Sequence, residues 1–200
     1  MIMNFWDERY KDEVYVYGLE PNDFFAEQIK LLKPGTLILP CEGEGRNAVY
    51  AASLAWKVNA YDSSVEGKNK ALKLANQRNT TINYDVIDAT LIEFEPNSAD
   101  CVAFIYAHFP QNIRTELHKK ALTWLKPGGT LILEAFNPKQ LGKSSGGPRD
   151  LSMLYDHEMM EDDFKDLEKL VIETKSLNLS EGKFHEGEAE IIRVVGVKSN

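Results

Sequence analysis

The stretch TLILPCEGEGRNA, residues 36–48, decides the fold. Thr36-Leu37-Ile38-Leu39-Pro40 is a short apolar run with no polar face, as a strand covered on both sides reads. Cys41-Glu42-Gly43-Glu44-Gly45-Arg46-Asn47 follows at once and opens a helical pattern over residues 47–54. Gly43 and Gly45 remove side chains where a ligand must approach the backbone. The helix start offers unpaired N–H groups and the positive end of the helix dipole. Such a turn suits a nucleotide cofactor. A glycine pair alone also suits a plain strand-to-helix turn with no ligand.

Strand-like and helical patterns alternate outward from this turn. Residues 57–61 read as a strand ending at Asp62. Residues 65–78 read as a helix carrying Ala71, Leu72, Leu74 and Ala75. A strand over 82–86 ends near Asp88, and another covers 101–106. A helix over 113–125 and a strand over 130–136 follow, with Leu125-Lys126-Pro127-Gly128-Gly129 as the turn between them. Upstream, Asn22 or Asp23 caps a helix whose apolar face is Phe24, Phe25, Ile29, Leu31 and Leu32, ended by Pro34-Gly35. Alternation of this kind predicts a parallel sheet with helices on both faces and right-handed crossovers.

The tail departs from the pattern. Residues 137–151 form a loop rich in Gly, Ser and Pro, and 156–170 read as an acidic helix. Residues 170–179 and 189–197 read as two strands joined by a polar loop over 180–188. The expectation is an α/β, Rossmann-like, doubly wound and mostly parallel seven-stranded sheet with a C-terminal antiparallel hairpin. One domain is expected over residues 1–200. Residues 1–20, with Phe5, Trp6, Tyr10, Tyr15 and Tyr17, are expected as an N-terminal lid, and 21–200 as the core.

The formal net charge is −8, and the densest basic stretch, 57–78, is interrupted by Asp62 and Glu66. That field argues against nucleic acid as a partner. No apolar run reaches the roughly 18 residues a membrane span needs. The first nine residues are charged too early for a signal peptide, so a cytoplasmic protein is expected. Cys41 and Cys101 are expected roughly 15 Å apart along neighbouring strands, too far to bridge.

Asp62 stands about 20 residues past the glycine turn, where such sheets carry an acid that accepts the ribose hydroxyls. Ser63 follows it. Asp62 would otherwise cap the next helix, a task that Ser63 or Ser64 can also perform. Asp88-Ala89, past the third strand, can border an adenine, or Asp88 can be a solvated loop acid. The bend at Gly43 and the carboxylate of Asp62 are expected to converge on a single nucleoside.

The order of the GEGRNA turn, Asp62, Asp88-Ala89 and the LKPGG turn resembles class I S-adenosylmethionine-dependent methyltransferases. Within them it is similar to the tellurite-resistance and thiopurine methyltransferase group, where a Trp-bearing segment like Phe5-Trp6-Asp7-Glu8-Arg9-Tyr10 precedes the sheet. The resemblance covers roughly residues 5–136. It implies S-adenosylmethionine as cofactor and a small-molecule methyl acceptor as partner. It implies that Gly43 and Gly45 pass under the methionine, Asp62 holds the ribose, and Asp88 and Ala89 border the adenine. Tyr106 would lie beside the sulfonium and Trp6 would cover the cofactor. Cys41, Glu42, Asn47 and Ser63 complete the expected cofactor shell. Two positions depart from the family pattern. Leu39 replaces an acid and Cys41 replaces the first motif glycine, and Glu42 is a substitute carboxylate for the methionine amine.

His108, just past the fourth strand, is the candidate general base. A loop histidine without function reads equally well. Tyr10 and Tyr17 would shape the acceptor pocket or pack the lid. The loop 139–149 is flexible by composition and is expected to border that pocket or simply to connect. His118 is expected at the surface, and His157 and His185 in exposed acidic surroundings with no metal spacing. Two rival readings are an NAD-dependent oxidoreductase, since Gly43-x-Gly45-x-x-Ala48 also fits a dinucleotide fingerprint, and a catalytically silent S-adenosylmethionine-binding protein.

Overall fold

The computed structural model describes residues 5–199. Five parallel strands come first: β1 (Thr36–Pro40), β2 (Lys57–Asp62), β3 (Asn83–Val86), β4 (Ala99–Ile105) and β5 (Leu125–Phe136). Two antiparallel strands, β6 (Leu167–Ser180) and β7 (Glu186–Lys198), complete a seven-stranded sheet in the order β3-β2-β1-β4-β5-β7-β6. The doubly wound sheet and its terminal hairpin are those the sequence predicts. The order reverses between β1 and β4, so a crevice opens at their carboxyl ends.

Two hydrophobic layers bury the faces. Leu37, Leu39, Ala60, Ala103 and Ile132 pack under α2 (Asp23–Lys30), α3 (Arg46–Ser53) and α4 (Val65–Gln77). Ile38, Val102, Phe104, Leu131 and Leu133 pack under α5 (Gln111–Trp124) and α6 (His157–Phe164). Leu39 therefore sits in the core, where an acid would go unpaired. A short helix, α1 (Phe5–Tyr10), lies against α4.

Several boundaries differ from expectation. The acidic helix stops at Phe164 rather than reaching residue 170, because β6 already pairs with β7 from Leu167. A full ladder of sheet hydrogen bonds outweighs the local helical preference. The turn 125–129 is itself part of β5: Leu125 pairs with Ala99, and a bulge at Ala99/Cys101 absorbs the irregularity. Since α2 ends at Lys30, Leu31 falls outside its apolar face and is exposed, as Leu72 is on α4. Cys41 and Cys101 are free thiols. Among the described residues no helix is long and apolar enough to cross a membrane.

Candidate functional site

The glycine turn is built by its own side chains. Cys41 takes the left-handed conformation, φ 59°, which a glycine adopts at no cost and which explains the family's glycine there. Glu42 is buried and turned into α3, where its Oε1 accepts from Ala48 N at 2.6 Å and its Oε2 from Asn47 Nδ2 at 3.4 Å. Burial pushes its carboxyl up to about 7. Asn47 is spent likewise, its Oδ1 accepting from Asn22 N. Both side chains are engaged by α3 and the start of α2. Gly45 lets α3 and α4 pack closely: a side chain there would collide with Ala71 Cβ on α4.

Asp62 closes the same turn from the end of β2. Its Oδ2 accepts from Gly43 N at 3.0 Å and its Oδ1 from Ser64 N at 2.9 Å. The Ser63 backbone N–H also donates to it. Burial dominates its environment and pushes its carboxyl up to about 6. Ser64, not Asp62, caps α4 through Gly67 N, so the capping role is filled elsewhere. Beyond β3, Asp88 accepts both Thr90 N and Thr90 Oγ1 on Oδ1, which holds its carboxyl below the usual range and starts a short 3-10 turn at Ala89. Ser63 and Ala89 remain partly open and Asp88 is exposed, past the ends of β2 and β3.

The bend at Gly43 is covered, not open. A methyl group on Gly43 would lie 2.7 Å from the Tyr10 hydroxyl, and the Tyr84 hydroxyl donates to Gly43 O at 2.5 Å. Trp6, about one-third exposed, stacks on Tyr10 with centroids 5.6 Å apart. A buried ion pair holds this lid. Lys70 Nζ, 2.5 Å from Glu44 Oε1, donates to the carbonyls of Tyr10, Asp12 and Val14. Glu44 Oε2 accepts from Val16 N and Tyr17 N. Asp7 anchors the start of the lid by accepting from Ser64 Oγ and Glu66 N. Sequence reading passed over Glu44 and Lys70; the one available signal was an acid between two turn glycines.

Tyr106, just past β4 with φ 53°, donates its hydroxyl to Glu134 Oε1 at 2.8 Å. Glu134 is a buried carboxylate on β5. It also accepts from Asn22 Nδ2 at 2.6 Å and from Arg193 Nε at 2.6 Å. Asn22 Nδ2 reaches Glu181 Oε1 as well, and Glu181 Oε2 takes Arg46 Nη2 at 2.9 Å and faces His185 Nδ1 at 3.3 Å. Asn22, Arg46, Glu134, Glu181 and Arg193 line a cleft of about 330 Å³ with Tyr17. No sequence motif marked Glu134, Glu181 or Arg193, and Arg46 was quoted only as part of the glycine turn.

Three histidine expectations change. His108 points inward: its Nδ1 lies 2.7 Å from Met153 O, and its Nε2 accepts from Phe136 N at 3.2 Å. Burial lowers its pKa to about 4. Both nitrogens are taken, so no lone pair faces a substrate proton. His118 is fully buried, not at the surface, and pairs with Asp163 beside Arg114. His185 is buried against Tyr17, Tyr106 and Phe136. The loop 139–149 is pinned instead of flexible: Ser145 Oγ donates to Glu188 O, and Gln140 bonds Ser145, Gly146 and Glu190.

A family described as a methyltransferase domain matches residues 40–129. No curated protein matches the sequence. A protein solved in work on the conversion of a disulfide bond into a thioacetal group during echinomycin biosynthesis superposes with a TM-score of 0.76 at 13% identity, covering 100% of this chain and 92% of that one. TehB from Haemophilus influenzae gives 0.70 at 15% identity over 98% of this chain and 66% of TehB. Phosphoethanolamine N-methyltransferase 2 from Haemonchus contortus, in complex with S-adenosyl-L-methionine, gives 0.70 at 17% identity over 98% of this chain and 56% of its own. At these identities the likeness is one of fold. The methyltransferase domain matched over residues 40–129 and the sheet order found around it support a reading as a class I S-adenosylmethionine-dependent methyltransferase.

Proposed function

We propose that the chain transfers the methyl group of S-adenosylmethionine to a small-molecule acceptor through a sulfur, metalloid, oxygen or nitrogen atom, and that it works in the cytoplasm. The observation that carries this reading is the bond from Gly43 N to Asp62 Oδ2, which brings the ends of β1 and β2 together at the switch point of the sheet. The residues fit the cofactor there. A carboxylate oxygen that accepts one backbone N–H keeps a second lone pair for a ribose hydroxyl. Ser63 and Ala89 stay partly open and Asp88 is exposed. Trp6, Cys41, Gly43 and Tyr106 complete the proposed shell.

Bound S-adenosylmethionine supplies a methyl group already activated on a sulfonium. The task of the chain is to place the acceptor in line and keep water out. Tyr10, Trp6 and Tyr17 form the cover for that purpose. A thiol or thiolate acceptor needs little base catalysis, which agrees with a His108 whose nitrogens are both engaged.

Thermal melting with S-adenosylhomocysteine against NAD tests the cofactor, because a ligand that binds only the folded state raises the transition. The expected result is a rise with the first alone. A rise with NAD alone would establish the oxidoreductase reading in its place. An acceptor screen over thiol, selenium, tellurium, amine and hydroxyl compounds, followed by homocysteine release, tests transfer. Cofactor binding without turnover across that screen would mark a silent binding protein and overturn the enzymatic part.

A further inference from the structure

Of the four histidines, His157 is exposed on α6, His108 has both ring nitrogens engaged, and His118 is fully buried. His185 differs from all three. It lies on the loop between β6 and β7, which closes on itself through Glu181 N to His185 O at 2.9 Å and His185 N to Gly182 O at 3.0 Å. Its Nδ1 faces Glu181 Oε2 at 3.3 Å. Burial would raise the Glu181 carboxyl, but the bond to His185 and the charge of Arg46 outweigh it and hold the group down to about 2. Burial lowers the pKa of His185 itself, so the ring is neutral. An ionised carboxylate only accepts, so the proton of the ring sits on Nδ1 and its lone pair on Nε2. No hydrogen bond among the described residues engages Nε2, and it is not one of the sealed, partnerless atoms, as His118 Nε2 is.

The ring of His185 stands edge-on to Tyr106 with centroids 4.4 Å apart, and 4.6 Å from Tyr17. Tyr106 belongs to the proposed cofactor shell and Tyr17 to the proposed cover. From the loop after β5, Gly146 faces the Cδ2–Nε2 edge. A methyl group there would stand 2.8 Å from Cδ2 and 3.2 Å from Nε2, so glycine leaves that edge unblocked.

We propose that His185 is the general base of the transfer, its Nε2 taking the proton of a protic methyl acceptor, with Glu181 as the positioning residue that fixes its tautomer. The inference rests on the methyltransferase reading. A lone pair of the acceptor forms the new bond to the methyl carbon, and the carbon–sulfur bond breaks with its electron pair left on sulfur. The acceptor proton goes to Nε2, so the positive charge passes from sulfonium to imidazolium beside the Glu181 carboxylate. Arg46 from α3 and Arg9 from the lid oppose that charge, and His108 stands near enough to act on it. Tyr17 and Tyr106, whose pKa values burial raises, stay neutral.

Nitrogen NMR of the unliganded protein reads the tautomer, with the His185 signals identified by their loss in His185→Gln. At pH 7 the proton is on Nδ1, and in Glu181→Gln the His185 pKa falls, because the carboxylate that favours the imidazolium is gone. A native ring protonated on Nε2 at that pH overturns the proposal. Formation of S-adenosylhomocysteine at pH 7 from two thiols tests the chemistry: 2-mercaptoethanol arrives as the thiol, thiophenol largely ionised. His185→Gln lowers kcat roughly 100-fold or more with the first and far less with the second. Glu181→Gln lowers it by a smaller factor with 2-mercaptoethanol. Melting shows that the variants fold, and calorimetry that they bind S-adenosylhomocysteine as the native protein does. Equal losses with both thiols, or none, overturn the proposal. Failure of the native protein to turn over either thiol strikes at the transfer reading instead, and the NMR result still decides for or against the His185 tautomer.

Discussion

Asp62 Oδ2 accepts a hydrogen bond from the backbone N–H of Gly43 at 3.0 Å, so one carboxylate ties the end of β2 to the bend after β1. Its other oxygen holds Ser64 N at the start of α4. A single side chain therefore fixes the relative position of the turns after β1 and β2.

Asp62→Ala should lower the affinity for S-adenosylhomocysteine at least tenfold. It should also cost roughly 1.5–3 kcal/mol of stability for the lost charge-assisted bonds. Calorimetric titration with thermal melting checks both. An affinity within twofold of the native protein would place the ribose elsewhere.

Glu42 offers a test of sign. Burial raises its carboxyl to about 7, above the ordinary 4.5, so folding favours the protonated form. The stability it contributes is fully present below about 4.5 and is lost as pH rises through about 7. Glu42→Gln keeps an acceptor for Ala48 N and has no charge to desolvate. Its melting temperature relative to the native protein should rise between pH 5 and pH 8, by the equivalent of at most about 3 kcal/mol. A gap that narrows over that range would contradict the assignment.

Lys70 holds the lid by three carbonyls and Glu44. Lys70→Met leaves a buried Glu44 unpaired and should cost on the order of 3–5 kcal/mol. The lid should then be cut by protease within residues 8–16 far faster than in the native protein. Trp56 and Trp124 are buried in the core, so emission changes on adding S-adenosylhomocysteine should come from Trp6 and vanish in Trp6→Phe. Equal cleavage rates, or a signal that persists in Trp6→Phe, would detach the lid from this role.

His108→Ala should act on stability more than on chemistry, because it strands Met153 O and Phe136 N in a buried position at about 1–3 kcal/mol each. The pKa near 4 lies below the ordinary 6.5, so the neutral ring stabilises the fold above 6.5, and this is lost as pH falls toward 4. The variant should lose that acid sensitivity. A stable variant with a hundredfold lower kcat would restore His108 as a base.

The fold was legible because its signals are local. Apolar runs such as residues 37–39, the glycine turn and the alternation with helices each depend on neighbours within a few positions. The same is true of the acid at Asp62, which sits on β2 by its place at a strand end. Boundaries were less legible where long-range pairing competes with local preference, as at Leu167, which joins β6 because β7 is there to receive it. Histidine burial was read wrongly at His118 and His185 because exposure depends on what packs on a residue from distant segments.

The sequence alone determined the order of strands and helices and the place of the glycine turn at residues 41–47. Tertiary structure alone decided which side chains meet. It set Tyr10 over Gly43, gathered Asn22, Arg46, Glu134 and Glu181 around one cleft, and turned Glu42 and His108 inward. The reason is physical: backbone pattern is written in short-range periodicity, whereas a buried polar network forms only where folding brings donors and acceptors from remote segments within about 3 Å.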